Sequence, residues 1–111
     1  MQVTIKTTAQ FDSWAKMLCK KYRSLSVDIK KLKEELLQNP LMGTDLGNGI
    51  HKIRLAIKSK NKGKSGGARV ITKVEIIVID NDFDVTLVAI YDKSELGNIT
   101  KQEILKILQQ A

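Results

Sequence analysis

The sequence predicts one α+β domain over residues 1–111: an N-terminal strand and a helix hairpin packed on a mainly antiparallel four-stranded sheet, with a short C-terminal helix. Three observations favour this fold class. Helical periodicity occurs in two adjacent N-terminal stretches and again near the C-terminus, and a period of two runs through three segments between them. A chain of 111 residues, 42% of them hydrophobic, buries one core but not two. We expect the helices to cover one sheet face and to leave the other accessible.

The first strand and the first helix follow each other closely. Gln2–Lys6 alternates polar and apolar residues, which predicts a strand. Thr7 stands three residues before Gln10, the spacing of a capping box, and predicts the start of a helix. Apolar residues then recur at helical spacing, and this stripe predicts a buried helix face. Its members are Phe11, Trp14, Ala15, Leu18, Cys19 and Tyr22.

Two further helices are predicted by the same periodicity. Leu25–Leu36 carries a second apolar stripe, and Pro40 ends this helix at or before Asn39. The turn between the first two helices is too short for anything but an antiparallel hairpin. Near the C-terminus, Thr100 and Glu103 have the capping-box spacing, which predicts a short last helix.

Three strands are predicted between the helices. The period changes to two at Ile50, and Val70–Ile79 is rich in β-branched residues, as a central strand is. Val85–Tyr91 follows a turn that starts at Asn81. In the first of these strands, Ile53 and Leu55 point to one side, so the alternating cations point to the other.

Composition excludes several classes of protein. A single cysteine, Cys19, excludes an internal disulfide, and a single histidine, His51, excludes paired imidazoles. We predict a buried thiol for Cys19 and a partly buried structural side chain for His51. The longest apolar run, Ile76–Ile79, is too short to span a membrane. Residues 1–8 show no secretory signal. We therefore expect a cytoplasmic protein without a membrane partner.

Two further motifs have simpler interpretations. Gly63-Lys64-Ser65 resembles the end of a phosphate-binding P-loop, but Lys58 stands where that motif needs its first glycine, and a strand follows instead of a helix. Asp80, Asp82 and Asp84 lack the other ligands of a calcium loop and are typical of a turn.

Positive charge is concentrated in one segment. The net charge is +7, and residues 50–73 contain eight cations and no acid. They are Lys52, Arg54, Lys58, Lys60, Lys62, Lys64, Arg69 and Lys73. Such a cluster favours binding to a polyanion such as nucleic acid. The alternative is a basic, solvated hairpin loop that serves solubility.

The cations suggest a chemical use. Lys52 and Arg54 emerge on the same side of one strand, and Arg69, Tyr91 and Lys93 start or end neighbouring strands. Converging cations bind a phosphodiester and stabilise the extra charge of its transition state. Their mutual repulsion lowers the pKa of a lysine, which then serves as a general base. Tyr91 would orient a base by stacking or hydrogen bonding. A phosphate-binding surface without turnover is the alternative.

Three segments resemble the RelE/ParE toxin superfamily, and its RelE/HigB-like branch in particular. They are Lys52-Ile53-Arg54-Leu55, Gly66-Gly67-Ala68-Arg69-Val70-Ile71 and Ile90-Tyr91-Asp92-Lys93-Ser94-Glu95. Members are toxins of bacterial type II toxin–antitoxin systems. The resemblance implies a RelE-like fold and a ribosome-dependent mRNA endonuclease that inhibits translation. It also implies that the ribose 2′-OH attacks the adjacent phosphodiester without a metal or cofactor.

The resemblance assigns roles and partners. The catalytic set is Lys52, Arg54, Arg69, Tyr91 and Lys93, and the RNA-binding set is Lys58, Lys60, Lys62, Lys64 and Lys73. The implied partners are the ribosome, mRNA and a helix-turn-helix antitoxin encoded beside the toxin gene. Two other functions stay open: a ParE-type inhibitor that acts on DNA gyrase by binding, and a non-catalytic RNA-binding module.

Overall fold

The computed structural model describes residues 1–110 and has the predicted α+β architecture. Its elements in chain order are β1 (Val3–Thr7), α1 (Ala9–Lys21), α2 (Leu25–Gln38), β2 (Thr44–Gly47), β3 (Ile50–Leu55), a 3-10 turn (Lys58–Lys60), β4 (Ala68–Ile77), β5 (Asp82–Asp92) and α3 (Lys101–Gln110). The sheet has five strands rather than four, because the short segment β2 adds a strand that the sequence did not predict. Within residues 1–110, no helix is both long and apolar enough to cross a membrane.

The sheet is mixed, with the strand order β1-β5-β4-β3-β2. β1 runs parallel to β5, and all other neighbours are antiparallel. β5 contains a bulge, since Thr72 pairs with Leu87 and the next residue back, Ile71, pairs with Ala89. Val88 is therefore the extra residue, and the side chains that follow it change faces.

One face of the sheet packs against α1 and α2. Phe11, Leu18, Leu25 and Leu32 from the helices meet Val70 and other strand residues in one core. Thr8 begins α1, where its hydroxyl accepts from the Phe11 N–H at 2.9 Å and donates to the Val88 carbonyl at 2.7 Å. The predicted cap, Thr7, is instead the last residue of β1, where it pairs with Leu87. The helix therefore starts one residue later than predicted.

The opposite face is covered in part by α3. Ile99 and Ile104 are buried against Ile50, Ile71 and Val88. The predicted capping box is confirmed, with the Glu103 N–H donating to Thr100 Oγ1 and the Thr100 N–H donating to Glu103 Oε1, both at 3.1 Å. Arg54, near the end of β3 on this face, remains exposed, and this is where the predicted site lies.

Two predictions about single residues turn out differently. His51 is buried, more than expected, whereas Cys19 is only partly buried, and burial raises the pKa of its thiol. The long strand predicted to reach Ile79 ends at Ile77, and the last two residues of the apolar run are exposed in the turn.

Candidate functional site

The predicted catalytic residues form a row across three neighbouring strands. Arg54 on β3 pairs with Arg69 on β4, which pairs in turn with Tyr91 on β5. Directly opposed residues of an antiparallel pair have Cα atoms about 4.5–5.5 Å apart. Lys52 lies two residues before Arg54 on the same face of β3, and Lys93, just after the end of β5, is close enough to act on the pKa of Lys52, so the structure brings all five together at one end of the sheet.

The bulge in β5 is what places Tyr91 in this row. Val85 and Leu87, before the bulge, face α1 and α2. After it, Ile90 faces those helices and Tyr91 faces the other side, beside Arg69. In a regular strand without a bulge, Tyr91 would share the face of Val85, six residues earlier, because side chains alternate along a strand.

Lys52 has the most perturbed environment among the four cations of the row. Its ammonium donates a hydrogen bond to Asn98 Oδ1 at 3.0 Å. Burial lowers the pKa of Lys52, and the positive charges of Lys93, Arg69 and Arg54 lower it further. Within residues 1–110, none of these four cations forms a salt bridge with a carboxylate. We call Lys52, Arg54, Arg69 and Lys93 the cation cluster.

Backbone carbonyls hold the side chain of Arg69 in place beneath the basic loop, by which we mean residues 56–67 between β3 and β4. Its side chain is only 5% exposed, and its guanidinium donates to the carbonyls of Lys64, Ser65 and Ala68 at 3.0 to 3.2 Å. Five N–H groups are available on a guanidinium, so these three bonds leave part of its donor capacity free. Arg69 therefore contributes a fixed positive charge under the loop.

Tyr91 does not lie on the open surface. Its residue exposure is 4%, and it packs with Ile99 and Ile104 beneath the segment that leads into α3. Burial raises the pKa of its phenol, although the charge of Arg69 opposes the shift. The structure thus corrects the stacking hypothesis, because a buried ring offers no face to an RNA base. Lys93, in contrast, is half-buried, and its ammonium donates to the Gly97 carbonyl at 2.7 Å.

The predicted RNA-binding lysines divide into two groups. Lys58, Lys62 and Lys64 are exposed around the loop beside the cation cluster. Lys60 is not a free cation, because its ammonium bonds Asp92 Oδ1 at 2.7 Å and its side chain is 12% exposed. Burial alone would lower the pKa of Lys60, but Asp92 outweighs it and raises the pKa.

Lys73 also lies apart from the cluster. It is four residues along β4 from Arg69, about 13 Å at 3.3 Å per residue. Ile71, between them on the same face, is covered by α3. The ammonium of Lys73 donates to the Asn48 carbonyl instead. The structure therefore does not bring Lys73 into the site.

Sequence reasoning missed the buried carboxylate of Asp92. Its side chain is fully buried and accepts hydrogen bonds from Lys60, from the Tyr22 hydroxyl, and from the Ser94 N–H and hydroxyl. Burial alone would raise the pKa of Asp92, but these donors outweigh it and hold the pKa well below its ordinary value. Asp92 ties together the end of α1, the 3-10 turn and the end of β5. In the sequence, only the position of Asp92 between the candidate site residues Tyr91 and Lys93 could have pointed to this role.

A groove extends from the cation cluster along the outer side of β3. It has a volume of about 420 Å³ and lies between α2 and the basic loop. Its lining combines apolar residues with charged ones: the cations Lys31, Arg54, Lys58 and Lys64 outnumber the acids Asp28 and Glu35. Arg54 belongs to both the groove and the cluster.

The cation cluster and the adjoining groove, in which cations outnumber acids, define a candidate binding site for a polyanion. Within residues 1–110, no three His, Cys, Asp or Glu side chains are placed to hold a metal ion. The model of a family described as the RelE toxin of the RelE/RelB toxin–antitoxin system matches residues 3–111, and the chain belongs to this family. Membership in it implies an antitoxin as a partner. Among curated proteins, none matches the chain.

Proposed function

We propose that this toxin is a ribosome-dependent endoribonuclease that cuts mRNA and so inhibits translation. The observation that supports the proposal is the environment of Lys52. Burial lowers the pKa of Lys52, the nearby charges of Lys93, Arg69 and Arg54 lower it further, and none of these cations forms a salt bridge with a carboxylate of residues 1–110. A lysine with a lowered pKa attracts a phosphodiester and also gives up its proton more readily than an ordinary lysine, so that it can serve as a base.

The cluster would bind the scissile phosphodiester at the open end of the sheet. A phosphodiester carries one negative charge, and the pentavalent transition state gains a second. Arg54, Arg69 and Lys93 supply fixed positive charge at this point, and preorganised charge stabilises a transition state more than it stabilises the substrate. Tyr91 supports this arrangement from the neighbouring strand, where it pairs with Arg69.

The reaction that fits these groups is attack by the ribose 2′-OH on the adjacent phosphorus. Neutral Lys52 takes the hydroxyl proton while the bond from O2′ to phosphorus forms. The bond from phosphorus to O5′ breaks, and Lys93 gives a proton to the leaving oxygen. The products are a 2′,3′-cyclic phosphate and a 5′-hydroxyl, and proton exchange with water restores both lysines.

The exposed loop lysines and the groove would hold the RNA on either side of this point. Lys58 and Lys64 line the groove with Arg54, and Lys62 lies in the same loop. Phosphate contacts of this kind position a strand without reading its sequence. The A-site codon held by the ribosome would supply the single-stranded segment that the cluster needs.

The test is primer extension on mRNA in translating ribosomes, with the purified protein added. We expect new 5′ ends within A-site codons for the natural protein. Lys52→Arg keeps the charge, but a guanidinium does not give up its proton near neutral pH. Cleavage by this variant should therefore fall by about 100-fold or more while ribosome binding persists. Lys30→Ala, an exposed lysine of α2, is the matched control.

Three outcomes would contradict the proposal. Absence of new 5′ ends with the natural protein rules out the nuclease. Cleavage by Lys52→Arg at the natural rate rules out Lys52 as the base. Inhibition of DNA supercoiling by gyrase, with mRNA left intact, would favour the ParE-type function instead.

A further inference from the structure

The hairpin between β4 and β5 exposes an apolar run at its end. Ile76, Ile77, Val78 and Ile79 are 53%, 42%, 83% and 94% exposed. Single exposed apolar residues are common on protein surfaces, but a contiguous run marks an interaction site. We call residues 75–84 the hairpin tip.

The hairpin tip is held in a defined shape by its neighbours. The Gln2 N–H donates to Asp82 Oδ1 at 2.9 Å, and the Phe83 N–H donates to the Gln2 carbonyl at 2.8 Å. Asn81 adopts the left-handed conformation that closes the turn, with φ of 52°. The apolar run is therefore presented on a paired hairpin that continues the sheet.

The hairpin tip is also the most acidic part of the chain. Between Lys73 and Lys93 there is no cation, and the tip itself contains Glu75, Asp80, Asp82 and Asp84. Glu75 lies directly opposite Asp84 on the neighbouring strand, an arrangement of like charges that is unfavourable without a counter-charge. In a protein with a net charge of +7, this surface is complementary to a cationic partner.

The hairpin tip and the cation cluster lie at opposite ends of the sheet. Ile77 is eight residues along β4 from Arg69, about 26 Å at 3.3 Å per residue, in a molecule 42 Å long. RNA bound at the cluster is repelled by carboxylates, so the acidic tip does not extend the RNA surface. Its occupant is a protein segment that combines apolar side chains with Lys or Arg.

We propose that the hairpin tip is a docking surface for the cognate antitoxin, through a segment with apolar side chains flanked by cations. The family supplies a protein partner for this toxin. The negative charge of the tip favours an antitoxin segment that contains Lys or Arg. A second copy of this chain is disfavoured as the occupant, because two tips paired by a two-fold axis would place carboxylates against carboxylates. The proposal does not depend on the nuclease mechanism, since the tip contains none of its residues.

The test measures the affinity of the full-length cognate antitoxin for variants of the toxin by titration calorimetry. Val78→Ser with Ile79→Ser should weaken binding by about 100-fold, because two apolar side chains lose their burial. Asp80→Lys should weaken it by about tenfold at low salt and by less at high salt. Leu37→Ser, which changes a side chain 46% exposed on α2 and outside the groove, is the matched control and should bind normally.

Thermal unfolding of each variant shows that the exposed substitutions leave the fold intact. Ribosome-dependent cleavage provides the second measurement, and the tip variants should retain it. Antitoxin affinity equal to that of the natural toxin in both the apolar and the charge variant would overturn the proposal. So would loss of ribosome binding with antitoxin affinity retained, which assigns the tip to the ribosome. A concentration-dependent dimer of the natural chain that the double variant abolishes would assign it to a second copy.

Discussion

Replacement of Asp92 by Ala is expected to destabilise the protein by about 3–5 kcal/mol. The carboxylate is fully buried and accepts four hydrogen bonds from three side chains and one backbone N–H. These donors belong to Lys60, Tyr22 and Ser94, which come from three separate segments of the chain. Among residues 1–110, Asp92 is the one Asp or Glu that is buried.

The magnitude follows from what the substitution leaves behind. The ammonium of Lys60, with its side chain 12% exposed, would lose the ion pair that neutralises it. An uncompensated, mostly buried charge accounts for about 3 kcal/mol, and each neutral donor left without a partner adds about 1 kcal/mol. Lys60 is close enough to the surface to regain some water, so we expect the lower part of the range. Asp92→Asn keeps the shape and should have a smaller effect.

Urea unfolding followed by circular dichroism at pH 7 measures this difference, with Glu34→Ala on the exposed face of α2 as the control. The pH dependence gives a second measurement. The pKa of Asp92 is lower in the folded state, so its stabilisation is complete above about pH 5 and is lost as the pH falls through about 3.9 and below. In Asp92→Ala, the free energy of unfolding should depend less on pH in this acidic range. A loss of stability under about 1 kcal/mol, together with an unchanged pH dependence, would refute this account of the Asp92 hydrogen bonds.

Three further predictions concern the site and its supporting loop. The single-turnover cleavage rate should rise with pH, because neutral Lys52 is the base. Since the pKa of Lys52 is lowered, the rate should level off below about pH 10.4, the ordinary pKa of lysine. The same pH profile in Lys52→Arg would contradict this role of Lys52. Gly67→Ala would place a Cβ 2.1 Å from the Leu55 carbonyl oxygen, so urea unfolding should show a loss of at least about 1–3 kcal/mol, whereas Gly97→Ala has no atom within 4 Å and should be neutral. Arg54→Ala should reduce the slope of log affinity against log salt for single-stranded RNA by about 0.7, measured by fluorescence anisotropy; an unchanged slope would show that Arg54 contacts no phosphate.

Much of the fold was predictable because its signals are local. Helical stripes such as Leu25–Leu36 and the capping box at Thr100 depend only on nearby residues, and the structure confirms both. β2 was not predictable, since Thr44–Gly47 is a four-residue strand with one partly buried side chain and no alternation to detect. Its pairing with β3 depends on the tertiary structure.

The site was predictable where one strand period determined it. The shared face of Lys52 and Arg54 follows from alternation within β3. The ion pair of Lys60 with Asp92 was not predictable, because it joins the 3-10 turn to the distant end of β5. The burial of Tyr91 depends on the segment before α3, which no pattern in β5 reveals.

The bulge residue Val88 makes contacts that do not depend on the pairing of β5 with β4. It is unpaired in the sheet, yet its carbonyl accepts the Thr8 hydroxyl at the start of α1, and its side chain is buried beneath α3. Removal of this one residue would leave Ala89 opposite Ile71 and Tyr91 opposite Arg69, as they are now. It would weaken the contacts that attach α1 and α3 to the sheet. The anchoring of the helical layer and the alignment of the cationic end are thus separable properties of a single strand.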